Sequence, residues 1–124
     1  MGGMALAAKI VIGITAALHL YFLVLEMFLW TTPYGRRVFA MTPSRAETTR
    51  VLAMNQGLYN GFLVAGLAWA LIADAALARP LATFFLGCVV VAGIVGGATV
   101  SKRIFVVQAV PAAIGLALVW CAAS

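Results

Sequence analysis

Long runs of apolar residues alternate along this chain with short clusters of polar and basic residues. Four runs, near residues 6–30, 51–72, 81–100 and 104–121, come close to or exceed the length of about 20 residues that an α-helix needs to cross a bilayer. The pattern therefore predicts an all-α fold, that of a polytopic membrane protein with a bundle of four transmembrane helices.

Proline and glycine punctuate these runs. Pro33 and Gly35 follow the first run and are expected to end its helix. Pro80 directly precedes the third run, so we expect residues 73–80 to connect the second helix to the third. Pro111 lies inside the fourth run, where it is expected to cause a kink that neighbouring helices tolerate.

Residues 31–50 form a basic connection between the first two runs. Its arginine-rich first half is amphipathic and suits the level of the lipid headgroups. Thr42 and Pro43 match the N-cap and the first residue of a helix, whereas Ser44 and Glu47 match a competing capping box. The second helix is expected to begin at one of these two signals.

The composition agrees with a membrane environment. The 124 residues are 65% apolar and 9% charged, against about 45–50% and about 25% in ordinary soluble proteins. A water-facing surface needs about 25–35% charged residues, so a soluble globular protein is excluded. Four spans and their short connections use the whole length, and we expect residues 1–124 to form a single membrane domain.

The basic residues are divided unevenly between the connections. Only Lys9 and Arg79 belong to one side of the predicted bundle. Six belong to the other side, in the first and third connections: Arg36, Arg37, Arg45, Arg50, Lys102 and Arg103. The positive-inside rule then places these connections in the cytoplasm and both termini outside. The net charge of +5 is therefore interpreted as a topology signal, and nucleic acid is not expected as a partner.

The first run carries two ionisable residues, His19 and Glu26. A charged side chain at the centre of a membrane helix costs about 2.5–3.5 kcal/mol and needs a partner. Since they are seven residues apart, His19 and Glu26 share one helix face, separated by roughly 10.5 Å along the axis. They are too far apart for an ion pair, but a small ligand or a water molecule would fit between them.

Polar residues of the second and fourth runs lie at a similar depth. Within one arc of about 140° on the second helix the sequence places Asn55, Gln56, Tyr59 and Asn60. Gln108 lies one turn inside the fourth run. Glycines close to this level predict tight helix packing: Gly57 and Gly61, and on the third run Gly93, Gly96 and Gly97.

Metal and cofactor signals are weak. Cys88 and Cys121 lie in different apolar runs, and the chain has no CxxC pair. A haem ligand is disfavoured because the single histidine can supply only one axial position. We therefore expect neither a metal nor a cofactor.

Three segments resemble a known family: the stretch from His19 through Glu26 to Trp30, the stretch from Asn55 to Phe62, and the glycine-rich stretch from Gly87 to Thr99. The chain resembles, over almost its whole length, the small bacterial integral-membrane family catalogued as domain of unknown function thirteen-zero-four. The resemblance implies four helices and a bacterial inner membrane. It implies no activity.

The residues leave three kinds of function open. In the first, a buried polar pocket binds a small lipophilic molecule, with Glu26 as acid and His19 as base of an isomerase or epoxide hydrolase. There the ligand-binding residues would be Asn55, Gln56, Tyr59, Asn60 and Gln108. In the second, the same cluster belongs to a proton-coupled carrier, which would need a homo-oligomer to form a pathway. In the third, the polar groups only fix the register of helices in a structural or partner-binding subunit.

Overall fold

The computed structural model describes residues 3–121 and is mostly helical in that range, without a strand. The helices are α1 (Leu6–Met27), α2 (Pro33–Val38), α3 (Pro43–Thr48), α4 (Arg50–Ile72), α5 (Ala75–Thr99), α6 (Lys102–Ile104) and α7 (Val110–Cys121). A π-helical segment, Phe105–Ala109, joins α6 to α7 without a break in the helix axis. The predicted all-α fold is confirmed for these residues.

The basic connection contains two short helices with the same kind of start. The hydroxyl of Thr32 accepts a hydrogen bond from the Gly35 amide, and Pro33 is the first helical residue of α2. Thr42 caps α3 in the same way, followed by Pro43. A capping hydroxyl followed by proline is a favourable helix start because proline has no amide to leave unpaired. The Thr42 signal was therefore correct, and the capping box that begins at Ser44 is not used.

The sequence predicts that the second long helix begins at this cap. In the structure the cap starts the short helix α3, and the long helix α4 is separate from it. A turn at Thr49 separates α3 from α4. The Thr49 hydroxyl donates to the Arg45 carbonyl and accepts from the indole nitrogen of Trp30, at 2.9 Å. This bond ties the turn to the chain that follows α1, whose helix ends at Met27 and not at residue 30.

The prediction that residues 73–80 form a connection was wrong. Asp74 caps α5 by accepting a hydrogen bond from the Leu77 amide, so α5 begins at Ala75 and includes Pro80. A proline this near the helix start removes one backbone hydrogen bond, that to the Ala76 carbonyl, and the rest of the helix continues. The N-cap signal of Asp74 outweighs the proline.

The kink expected at Pro111 stays a prediction, but the helix is irregular beside this residue, where the π-helical segment ends at Ala109. Proline at this position cannot donate to the Val107 carbonyl, and its ring would collide with that group in a regular α-helix. One wider turn, placed directly before Pro111, relieves this collision. The last helix is therefore continuous over Lys102–Cys121.

Four long helices pack in a ring in which neighbours run antiparallel. α1 packs against α4, α4 against α5, α5 against the last helix, and α7 against α1. The buried apolar core lies at the end near the chain termini, where it includes Ile12, Leu67, Leu86 and Val119. At the opposite end, which carries the basic connections, α1 has no extensive contact with α5 or with the π-helical segment among the described residues.

Three of the helices are long and apolar enough to cross a membrane: α1, α5 and Lys102–Cys121. This is the pattern of a multi-pass membrane protein that contacts lipid. The sequence analysis expected four such helices. α4 has the length, at 23 residues, but is not among the three because the amides of Asn55, Gln56 and Asn60 lower the apolarity of its first half.

Candidate functional site

The candidate site begins on the inward face of α1. Its buried residues Ala8, Ile12, Thr15 and His19 are spaced by four, three and four positions, which is the spacing of one stripe on a helix. Two turns beyond His19 the same stripe reaches Glu26, which is half-buried. The structure thus places both predicted ionisable residues on the side of α1 that faces the bundle.

His19 is fully buried, and its two ring nitrogens have different surroundings. Nδ1 lies 2.8 Å from the Thr15 carbonyl oxygen. Because a carbonyl can only accept, Nδ1 must carry the proton, and in the neutral imidazole Nε2 is then an acceptor. Nε2 is shielded from solvent and has no hydrogen-bond partner among the described residues. An unpaired acceptor at this depth is costly, so the position favours an O–H or N–H donor.

Phe22 contributes to this site and was not singled out from the sequence. Its ring meets the His19 imidazole edge to face, with centroids 5.5 Å apart. The two residues are three positions apart on α1, the separation at which helix side chains touch. This spacing was the available signal. The ring contact holds the imidazole in one orientation and makes its surroundings apolar.

Glu26 has a partner on α4. The Asn60 side-chain nitrogen donates to Glu26 Oε1 at 2.6 Å, and Asn60 is only 4% exposed. A carboxylate or carboxyl oxygen that accepts from an amide between two helices is satisfied at one of its oxygens. The structure therefore brings together one ionisable candidate and one ligand-binding candidate, from helices that are distant in the sequence.

Glycine permits this contact. A Cβ atom at Gly57 would lie 2.5 Å from Met27 Cγ and 3.2 Å from Glu26 Cβ. A Cβ atom at Gly61 would lie 3.0 Å from a methyl group of Leu23. The predicted pair of glycines four residues apart thus lets the backbones of α1 and α4 approach closely, and Asn60 between them reaches the carboxyl group.

The other polar residues of α4 point away from Glu26. Asn55 and Gln56 are exposed, and Tyr59 is 57% exposed with its ring against Phe62. The buried face of α4 instead contains Ala53, Gly57 and Asn60. The predicted arc of about 140° extends from the buried face of α4 to its exposed face. Asn60 is therefore buried, whereas the other three members of the predicted cluster are exposed.

Gln108 lies in the π-helical segment and is half-buried. Its side chain has no hydrogen-bond partner within residues 3–121. The segment packs against the glycines of α5, since a Cβ atom at Gly93 would lie 2.6 Å from the Ala109 backbone nitrogen. This packing places the segment that carries Gln108 against α5, and among the described residues the segment has no extensive contact with α1 and its acid.

The arrangement offers one carboxyl group and one amide at the α1–α4 contact. Two turns away on α1 it offers one imidazole nitrogen without a hydrogen-bond partner among the described residues. These groups can accept or donate protons and hydrogen bonds to a small molecule. No group of three or more His, Cys, Asp or Glu side chains comes together for a metal ion within the described range.

Comparison with known proteins finds a match to a family model. No curated protein and no solved structure matches the chain. The family model described as Protein of unknown function (DUF1304) matches residues 13–120 and so covers His19, Glu26, Asn60 and Gln108. The chain therefore belongs to this family, as its resemblance had suggested.

Proposed function

We propose that this protein binds a small lipophilic or amphipathic molecule at an intramembrane polar site formed by His19, Glu26 and Asn60. Glu26 would exchange a proton with the molecule, Asn60 would hold the carboxyl group in place, and His19 Nε2 would accept a hydrogen bond from a hydroxyl or amide of the ligand. Proton transfer of this kind is the chemistry of an isomerase or an epoxide hydrolase.

One observation carries the proposal: the fully buried His19 has a ring nitrogen without a hydrogen-bond partner in the described part of the chain. Polar groups inside a membrane are expensive and mark functional sites by default. If His19 served only to join helices, its second nitrogen would be expected to find a protein donor. A bound molecule with a donor group would supply the missing hydrogen bond.

The proposal includes a topology. We propose that α4 is the fourth span, since it is 23 residues long and packs between α1 and α5. The chain would then be one membrane domain in a bacterial inner membrane, with its termini outside and the basic connections in the cytoplasm. Fusion of a reporter to either terminus would test this orientation.

A structural role is the second candidate, and the bond between Glu26 and Asn60 favours it. An interhelical hydrogen bond in a membrane contributes about 0.6–2 kcal/mol and fixes helix register without any ligand. A carrier would use the same groups, but it would need a homo-oligomer of the chain to form a pathway.

Mass spectrometry of molecules that copurify with the protein tests the binding site. Protein purified in a mild detergent is extracted with organic solvent, and the extract is compared with that of His19→Phe. We expect a small molecule with a hydroxyl or amide group in the first extract and its loss in the second. Tyr21→Phe is the matched control, because it also removes one polar group from α1 but at an exposed position.

Glu26→Gln separates the two candidates. The glutamine oxygen can still accept from Asn60, so a purely structural role is retained, whereas proton exchange is lost. The wild-type protein, His19→Phe and Glu26→Gln are compared by the molecules in their extracts. If the three extracts were identical, the polar groups would serve packing alone.

A further inference from the structure

The connection between α2 and α3 folds back on itself and leaves an open cleft of ≈ 450 Å³ on the basic end of the bundle. The cleft is lined by Pro33, Arg36, Arg37, Ala40, Met41 and Thr42. It lies outside the α1–α4 contact and shares no residue with the polar site there.

A tight turn shapes this cleft. The Met41 amide donates to the Arg36 carbonyl and the Ala40 amide to the Arg37 carbonyl, which is the hydrogen-bond pattern of a Schellman motif. The motif requires a left-handed residue, and Ala40 occupies that position with a φ of 52°. Glycine is usual there because a Cβ atom costs about 1–2 kcal/mol in this conformation. The turn places the two arginines beside the start of α3.

The positive charge of the cleft is not neutralised by the protein. Among the described residues the one ion pair joins Arg50 to Glu47, so the one carboxylate of this connection is already engaged. The Arg37 guanidinium lies 5.8 Å from the centre of the Tyr34 ring. Neither Arg36 nor Arg37 forms an ion pair with any of the described residues. An oxyanion in the cleft would neutralise their charge.

The position of the cleft indicates where such an oxyanion would come from. The cleft begins six residues after the end of α1 at Met27. Trp30 lies in the intervening turn, and Tyr34 lies in the first turn of α2. Tryptophan and tyrosine are enriched at the level of lipid headgroups. The connection between residues 31 and 50 holds four arginines and one glutamate, and such clusters next to a span attract anionic lipids.

We propose that this cleft is a binding site for a phosphate group, supplied by the headgroup of an anionic phospholipid. Arg36 and Arg37 hold the phosphate oxygens, because the planar guanidinium presents paired donors that match a phosphate. The turn at Ala40 sets the spacing of the two side chains.

Lipid binding to the full-length protein in detergent tests the site. Native mass spectrometry measures the affinity for dioleoyl phosphatidylglycerol and for dioleoylglycerol, which has the same acyl chains and no phosphate. Arg36→Gln with Arg37→Gln is expected to weaken phosphatidylglycerol binding by about tenfold or more, since hydrogen bonds to charged groups are lost. Lys102→Gln with Arg103→Gln is the matched control. It removes two charges from the other basic connection, and we expect little change because neither residue lines the cleft.

Further arms identify the source and protect against misfolding. Arg37→Lys keeps the charge but not the paired donors, and an intermediate loss of affinity is expected. Inorganic phosphate that displaces the lipid would show that soluble phosphate also occupies the site, and failure to displace it would assign the site to lipid alone. Equal losses in the two double variants, or equal binding of dioleoylglycerol, would overturn the proposal. Helical circular dichroism confirms that each variant is folded.

Discussion

The two halves of the bundle differ in the extent of their apolar core. The half near the termini has a cluster of buried apolar residues that includes Ile12, Leu67 and Leu86, together with a close glycine contact, since a Cβ atom at Gly66 would meet the Phe85 ring. In the half with the basic connections, glycines bring helices together in pairs, α1 with α4 at Gly57 and α5 with the π-helical segment at Gly93. Among the described residues, the one side-chain hydrogen bond between long helices in this half, from Asn60 to Glu26, joins the first of these pairs.

This difference has a physical cause. Lipid tails are as apolar as leucine, so burial of leucine in a membrane protein brings packing contacts and little hydrophobic gain. The terminal half obtains those contacts from interlocking side chains around the whole ring. The basic half obtains them within each helix pair, and it leaves α1 without extensive contact to α5 or the π-helical segment. The contact between Glu26 and Asn60 in the proposed site lies in this half.

The largest effect is expected in the terminal half. Leu86→Ala should lower the free energy of unfolding by about 2–5 kcal/mol, because the fully buried side chain leaves a cavity. Unfolding in mixed micelles of a mild detergent and sodium dodecyl sulfate, followed by circular dichroism, measures this. Leu52→Ala is the control, since Leu52 is 71% exposed. Equal losses from the two variants would contradict a packed apolar core here.

A smaller loss is expected from Gly93→Ala in the basic half. The new methyl group would meet the Ala109 backbone at 2.6 Å, so α5 and the π-helical segment must separate. Overpacking of this kind costs about 1–3 kcal/mol. Gly87→Ala on the same helix meets nothing within 4 Å and should be tolerated. If Gly93→Ala destabilised the protein more than Leu86→Ala, the basic half would be the better packed of the two.

The polar pair should contribute less again. Asn60→Leu removes the hydrogen bond to Glu26 at similar side-chain volume, and a loss of about 0.6–2 kcal/mol is expected in the same unfolding assay. Asn55→Leu removes an exposed amide from the same helix and should leave the stability unchanged. An equal effect of both substitutions would mean that the Glu26 contact does not hold α1 to α4.

The smallest change in the free energy of unfolding is expected outside the bundle, where Ala40→Gly should raise it. Ala40→Gly relieves the left-handed alanine, worth about 1–2 kcal/mol, but increases the freedom of the unfolded chain by about 0.4–1 kcal/mol. A net stabilisation of about 0.5–1 kcal/mol follows. Ala73→Gly is the control, because Ala73 has a negative φ and gains nothing. Destabilisation by Ala40→Gly would show that the turn is not strained.

Much of the fold could be predicted from the sequence. Apolar runs of membrane length, the Thr42 cap and the helical face shared by His19 and Glu26 depend on local spacing alone. Helix boundaries were harder to predict, because Asp74 and Pro80 give opposite signals within one turn. The sequence does not show which signal prevails. The number of spans was also hard to predict, because α4 is long enough to cross a membrane but contains three amide side chains.

The candidate site could be predicted only in part. Glu26 and Asn60 were both singled out, but their contact is between residues on different helices and depends on the rotation of α4 about its axis. The same rotation exposes Asn55, Gln56 and Tyr59.

The sequence by itself determined that this chain is helical, apolar and basic at its connections, and that His19 and Glu26 share a face, because these properties follow from composition and from the 3.6-residue period of the helix. Only the tertiary structure decided which amide reaches the carboxyl group, that His19 Nε2 has no hydrogen-bond partner within residues 3–121, and that Arg36 and Arg37 line one cleft. These features depend on how closely the helices approach one another and on how the turn after α2 closes. Glycine contacts determine the helix approach, and the left-handed Ala40 determines the turn. Neither is evident from the pattern of apolar and polar residues.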